Sequence, residues 1–370
     1  MKDYLKNYKA KIHVLTPMHI GCGQRLLKKE YIYLPKTHRV IVPDIQKMFS
    51  AIQKKGLSSA FMDFMLNTGN KGPSLSQWLG QNGFTFKDYE AWKKYDMDAG
   101  EAFVSQTARP KEINTFIKDA YGMPYVPGSS IKGMFRTALI AWEVHKNPRK
   151  FERIKRDIEI QSAKFSKRER CLAKETSLLE QMILNTLNRD EKKTGSAVND
   201  VMAGLHIGDS APIGLEQLTL SQKIDYTLDG QEKPLPILRE SLIPGTNIYF
   251  DVTIDTSLCP YTIGDIIEAL NYLQSVCYKY FYARFRRGTK SENIVWLGGG
   301  CGFLSKTIVY ALFGADAVKV VDGIYKNTLG KIYSTHKHTK DLSLRIAPHV
   351  CKCTRYQGEL YDVGMGRIEF

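Results

Sequence analysis

The sequence predicts an α+β fold built on antiparallel sheet, and three observations lead there. Strand-like runs come in groups joined by turns instead of alternating one by one with helices. The first fifty residues read as strand, strand, strand, helix. Two longer amphipathic helices, opening near Ser129 and at Thr262, interrupt the remaining strands.

Taken in order, Lys11–Pro17 alternates as a strand and enters the turn His19–Gly23, where Gly21 and Gly23 permit positive φ. Tyr31–Leu34 and Arg39–Val42 flank Pro35–His38 as a hairpin, and Asp44 is placed to cap a helix through Met48 and Phe49. Between Leu57 and Tyr95 short helical patterns are broken by Gly69, Gly72-Pro73, Gly80 and Gly83, which reads as an inserted helical subregion. A strand over Glu112–Lys118 leads to a turn, and from there Ile131, Met134, Phe135, Ala138, Leu139 and Trp142 fall on one helical face. Lys146–Lys193 is charged and helical, mostly a solvated face. Strands are expected over 203–209, 218–226, 235–243 and 248–254, then a helix over Thr262–Arg287 with Thr262 as its cap. A strand at Asn293–Leu297, the loop Gly298–Gly302, a helix from Ser305 to Phe313 and two strands in 347–370 complete the chain. The expected organisation is a half spanning 1–200, carrying insertions at 57–110 and 146–195, and a second α+β half spanning 201–370.

With 370 residues and 43% hydrophobic content, the chain can bury a sizeable core. Lys plus Arg number 53 against 38 Asp plus Glu, a net charge of +15 spread over most of the sequence. Such a surface attracts polyanions. No uncharged apolar stretch reaches membrane-spanning length and the first residues lack a signal-peptide core, so a cytoplasmic protein without a membrane partner is expected. The odd count of seven cysteines suits free thiols in a reducing compartment.

Three segments stand out as candidate contacts for a phosphate chain. In Pro127-Gly128-Ser129-Ser130-Ile131-Lys132-Gly133-Met134-Phe135-Arg136 the first N–H groups of a helix face outward, and Lys132 and Arg136 repel one another unless something negative lies across them. The alternative is an ordinary capped helix with exposed cations. The second is the glycine-rich loop Gly298, Gly299, Gly300 and Gly302, followed by Lys306. Ser305 stands where a P-loop needs glycine before Lys-Thr, which disfavours a P-loop-like nucleotide binder without removing it as an alternative; packing of the loop under a sheet is the other reading. The third is Tyr278–Arg287, where Arg284, Arg286 and Arg287 interleave with rings, as in a base-stacking surface or in a helix end whose rings face the core. His13 and His19 flank the first glycine turn, and either could serve a metal-independent ribonuclease as general base; a structural or RNA-contacting role is the preferred reading. His349, Cys351 and Cys353 share a strand face, but neither spacing is a zinc knuckle and buried free thiols are expected. No cofactor or metal is expected, and no residue is assigned a catalytic role.

Taken together, Pro17–Gly23, Tyr125–Leu139 and Gly298–Phe303 resemble the RAMP superfamily of CRISPR proteins, and in order and spacing most resemble the fifth-subunit family of the type III-A Csm complex. The resemblance runs from about residue 10 to the end, though 57–110 and 146–195 carry no matching motif. It implies a ferredoxin-like core with helical insertions, the second half being a degenerate copy. It also implies binding of single-stranded crRNA, capping of its 3′ end, support of crRNA maturation, and contact with the repeated backbone subunit and the small helical subunit of the complex. Carried over as RNA contacts are His19, Gly21, Gly23, Pro127, Gly128, Ser129, Ser130, Lys132, Gly133, Arg136, the Gly298–Gly302 loop, Lys306 and, in the terminal strand motif, Arg367. The target-cleaving aspartate of the similar backbone subunit has no counterpart here, so any trimming is expected from a recruited host exoribonuclease.

Overall fold

The computed structural model describes residues 4–67, 72–103, 112–164 and 171–370. Its strands, in chain order, are β1 (Leu5–Val14), β2 (Gly21–Leu26), β3 (Ile32–Leu34), β4 (Arg39–Pro43), β5 (Lys93–Asp98), β6 (Glu112–Phe116), β7 (Leu205–Ile207), β8 (Leu218–Thr227), β9 (Glu232–Leu242), β10 (Asn247–Asp255), β11 (Ile294–Trp296), β12 (Val350–Tyr356), β13 (Glu359–Asp362) and β14 (Met365–Glu369). They form a five-stranded antiparallel sheet ordered β11-β14-β1-β10-β7 and a nine-stranded sheet ordered β2-β6-β9-β8-β5-β4-β3, with β12 added on β8 and β13 on β12. The mixed α+β architecture with antiparallel sheets is as expected, apart from short parallel pairings of β6 with β9 and β5 with β8.

Periodicity explains how the first sheet meets its helices. Ala10, Ile12 and Val14 of β1 point inward and pack with Ile248, Phe250, Val252 and Ile254 of β10. The helix Gly128–Lys146 supplies Ile131, Met134, Phe135, Ala138, Leu139 and Trp142 to the same core, and Ile263–Tyr280 supplies Ile266, Leu270 and Leu273. The second helix opens on a capping box in which Thr262 and Asp265 each satisfy the other's backbone N–H.

β1 pairs with both β10 and β14, and one core cluster draws on residues from both sides of position 200. Pairings this distant in sequence leave no local composition signal. A smaller core forms separately where Met48, Ile52, Phe61, Trp78 and Leu79 pack over β3 and β4. The first insertion also ends earlier than expected, since β5 within it pairs with β4. The helix Ala317–Thr328 lies outside the expected elements, and the tail holds three strands instead of two. The expected helix over 305–313 is reduced to Val309–Phe313.

Candidate nucleic-acid interface

The glycine-rich loop leaves β11 and is held over the first glycine turn by its own backbone. Gly299 N–H donates to the His19 carbonyl at 2.7 Å, and Gly298, Gly300 and Gly302 have φ of +95°, +96° and +93°. A methyl group on Gly298 would lie 2.2 Å from that carbonyl oxygen. Only glycine meets both demands. Gly298→Ala is therefore expected to cost about 3 kcal/mol of stability, read from denaturant unfolding; an unchanged midpoint would mean that the loop sits elsewhere.

The loop is half-buried, and the N–H groups of Gly300 and Gly302 have no hydrogen-bond partner among the described residues. Below it lies a sheet face that the sequence reading missed. Arg239 of β9 has Nη1 3.3 Å from where a Cβ on Gly300 would stand, and Lys352 of β12 approaches Gly302. Burial lowers the pKa of both Arg239 and Lys223, and Arg239 has no hydrogen bond or ion pair among the described residues. Its cross-strand neighbour is Ser221, whose buried hydroxyl is likewise unpartnered. Lys352 Nζ meets Asp225 at 2.7 Å and Lys223 Nζ lies 3.9 Å from the same oxygen, while exposed Lys306 has no ion-pair partner among the described residues. Arg239 and the stem of Lys352 thus lie against the loop, with Lys223 and Asp225 beside Lys352 and Lys306 following the loop in sequence. That is an arrangement for an anion with several oxygens.

The central motif joins the loop from one side. Ser130, Gly133 and Thr137 line a cavity of about 270 Å³ with Gly298, Ser305 and Lys306. Its expected anion seat, however, is filled from within: Gly128 N–H donates to Asp209 Oδ1 at 2.8 Å, and the glycine is pressed against the Ile207 carbonyl. Arg136 is also spoken for, with Nη1 2.7 Å from Asp200 and Nη2 3.0 Å from Glu180. These carboxylates relieve its repulsion with Lys132, so no phosphate is required there. Pro127 caps the helix without a side-chain bond, and Ser129 is exposed.

His19 needs correcting as a direct contact. It is 5% exposed, its Nδ1 donates to the Glu240 carbonyl at 2.7 Å, and burial pushes its pKa down to about 4. A neutral ring wedged under the loop positions glycines; it does not face a ligand. Three rings of the third segment are core as well, Phe281, Tyr282 and Phe285 being buried and Tyr282 stacked on Trp296 at 4.3 Å, while Tyr278 and Tyr280 are half-buried. Arg287 donates to Asp362 at 2.7 Å and to the Leu360 carbonyl, leaving Arg284 and Arg286 exposed. Gly21 and Gly23 are exposed on the edge strand β2, and Arg367 lies on the outer face of the five-stranded sheet opposite His13. Neither joins the loop cluster. Cys22, Cys259, Cys277, Cys301, Cys351 and Cys353 are free thiols, and Cys351 and Cys353 are buried. No helix among the described residues is long and apolar enough to cross a membrane.

Antiparallel sheets with inserted helices, and a glycine-rich loop over a cationic sheet face, describe an α+β protein with a surface suited to anions. Residues 11–305 match the family model of the RAMP superfamily, and the chain belongs to that superfamily. It is similar to the CRISPR system Cms protein Csm5 of Mycobacterium tuberculosis, 29% identical with 98% of this chain and 97% of that protein covered. It is also similar to Csm5 of Streptococcus thermophilus, 27% identical over 94% of this chain and 90% of that protein. Among solved structures, T. onnurineus Csm5 superposes with a TM-score of 0.62 at 17% identity, covering 96% of this chain and 99% of that one. A chain of a Csm-crRNA-target RNA ternary complex of a type III-A system superposes at 0.60 and 18% identity, covering 98% of this chain and all of that one.

Proposed function

We propose that this chain serves as the Csm5-type subunit of a type III-A CRISPR effector complex, holding crRNA without catalysing its cleavage. The observation that carries the reading is the pair of unbonded amides at Gly300 and Gly302, set beside Arg239 and Lys306, which have no ion-pair partner among the described residues. Those groups bind phosphate oxygens and ignore base identity, as a subunit that must accept any guide requires. In this reading the chain caps the crRNA 3′ end in the cytoplasm, beside the repeated backbone and small helical subunits, and a recruited host exoribonuclease does the trimming. The names of the Csm5 relatives support the assembly. The processing role considered for His19 loses its support, because a buried ring with pKa about 4 and its Nδ1 engaged reaches no RNA hydroxyl.

The test is purification of the complex from cells with and without this chain, followed by sequencing of bound RNA. Longer, ragged crRNA 3′ ends in its absence are expected. Unchanged crRNA length, or trimming of RNA by the purified chain alone, would overturn the reading.

A further inference from the structure

Two clusters among the described residues bring three metal-ligating side chains together. In the first, Cys351 and Cys353 face Asp362, but Arg287 Nε donates to Asp362 Oδ1 at 2.7 Å and Gly288 N–H to Oδ2 at 2.9 Å. A cation already neutralises that carboxylate. The second is His338, Asp341 and His349. Asp341 is 0% exposed, with Oδ2 3.0 Å from His338 Nδ1 and Oδ1 2.5 Å from His349 Nδ1, and it has no Lys or Arg partner among the described residues. A wholly buried carboxylate facing only imidazoles calls for a compensating positive charge.

The geometry points to a divalent transition-metal site in which Asp341, His338 and His349 supply three ligands. The three ligand atoms lie within 4.8 Å of one another. A tetrahedral set at about 2.1 Å from its ion separates ligand atoms by roughly 3.4 Å, so small side-chain rotations open the space. Imidazole nitrogen with one carboxylate selects zinc, cobalt or nickel over magnesium and calcium, which favour all-oxygen sets. Nδ1 ligation leaves each Nε2 carrying the proton, and neutral tautomers reach that state without releasing any. His338 and Asp341 stand one turn apart in a helical segment, whereas His349 enters from the bend just before β12. The ion would therefore clamp two segments that share no sheet pairing. Both imidazoles line a groove of about 510 Å³ together with Lys223 and Lys352. The fourth coordination position, filled by water, opens there, and the bound ion adds positive charge to the groove wall.

The test uses the full chain, stripped with chelator and titrated with zinc chloride by calorimetry, then with cobalt(II) followed by visible absorption. One ion per chain and a four-coordinate cobalt spectrum without thiolate charge-transfer bands are expected. His349→Gln should weaken uptake at least about tenfold, and Cys351→Ser should leave it unchanged. No uptake by the wild type at micromolar metal, thiolate bands in the cobalt spectrum, or undiminished uptake by His349→Gln would each overturn the site. Asp341 is wholly buried, so its variants test folding along with binding, whereas the wild-type cobalt spectrum decides without them. RNA plays no part in this measurement, so its outcome is independent of the RNA-binding reading.

Discussion

Arg239→Leu is expected to move stability and RNA affinity in opposite directions. The guanidinium is half-buried and has no partner among the described residues, beside the equally unpartnered hydroxyl of Ser221. Such a cation loses hydration in the folded state and gains nothing in return. Leucine keeps much of the stem's packing and removes the charge, so unfolding free energy should rise by about 1 kcal/mol. Affinity for single-stranded RNA should fall about tenfold or more, because the lost group is a charge-assisted donor to phosphate in a partly dehydrated setting. Denaturant unfolding and filter binding on the same preparation read both effects. Destabilisation with unchanged RNA affinity would make Arg239 an ordinary structural residue.

The largest stability effect is expected one residue along. Glu240 is 0% exposed and accepts from the Tyr95 hydroxyl at 2.7 Å, from Phe116 N–H at 2.8 Å and from Lys118, whose ammonium also stands over the Tyr95 ring. Alanine at this position leaves Lys118 charged and largely buried with no counter-ion, and also strips two further donors of their acceptor. A loss of about 3–5 kcal/mol is expected for such a broken buried pair. Since the Glu240 carbonyl also holds the His19 ring, the glycine-rich loop should loosen with it. Glu240→Gln keeps the volume and one acceptor oxygen but removes the charge and puts an NH2 donor where the second oxygen accepts, so it should also cost several kcal/mol, about 2–4; a near-neutral Glu240→Gln would contradict the ionic account.

The elements that sequence made legible are those fixed by neighbours in the chain. The two long helices and the pair β9 and β10 lie close to where periodicity puts them, and the Thr262 cap forms as expected. The glycine-rich loop was legible because repeated positive φ has one common source. What failed was partner assignment. Nothing near Gly128 or Arg136 announces Asp209, Asp200 and Glu180 as their counter-charges, since those acids arrive from 44 to 81 residues away. Arg239, Lys223 and Lys352 were visible only as cations inside strand-like runs. Their shared face exists because β8 sits between β9 and β12, a pairing order that spans more than a hundred residues. A cation at an interior strand position was the one available signal. The RNA-contact roles expected of His19 and the Tyr278–Arg287 rings misplaced side chains that local pattern leaves free to face either way.

The salt dependence of single-stranded RNA binding tests the central claim most directly. With four to six phosphates neutralised, the wild-type slope of log K against log salt should be about −3 to −4, and Arg239→Leu combined with Lys306→Ala should flatten it by about 1.4. A double variant that keeps the wild-type slope and affinity would show that the phosphate chain does not pass this loop.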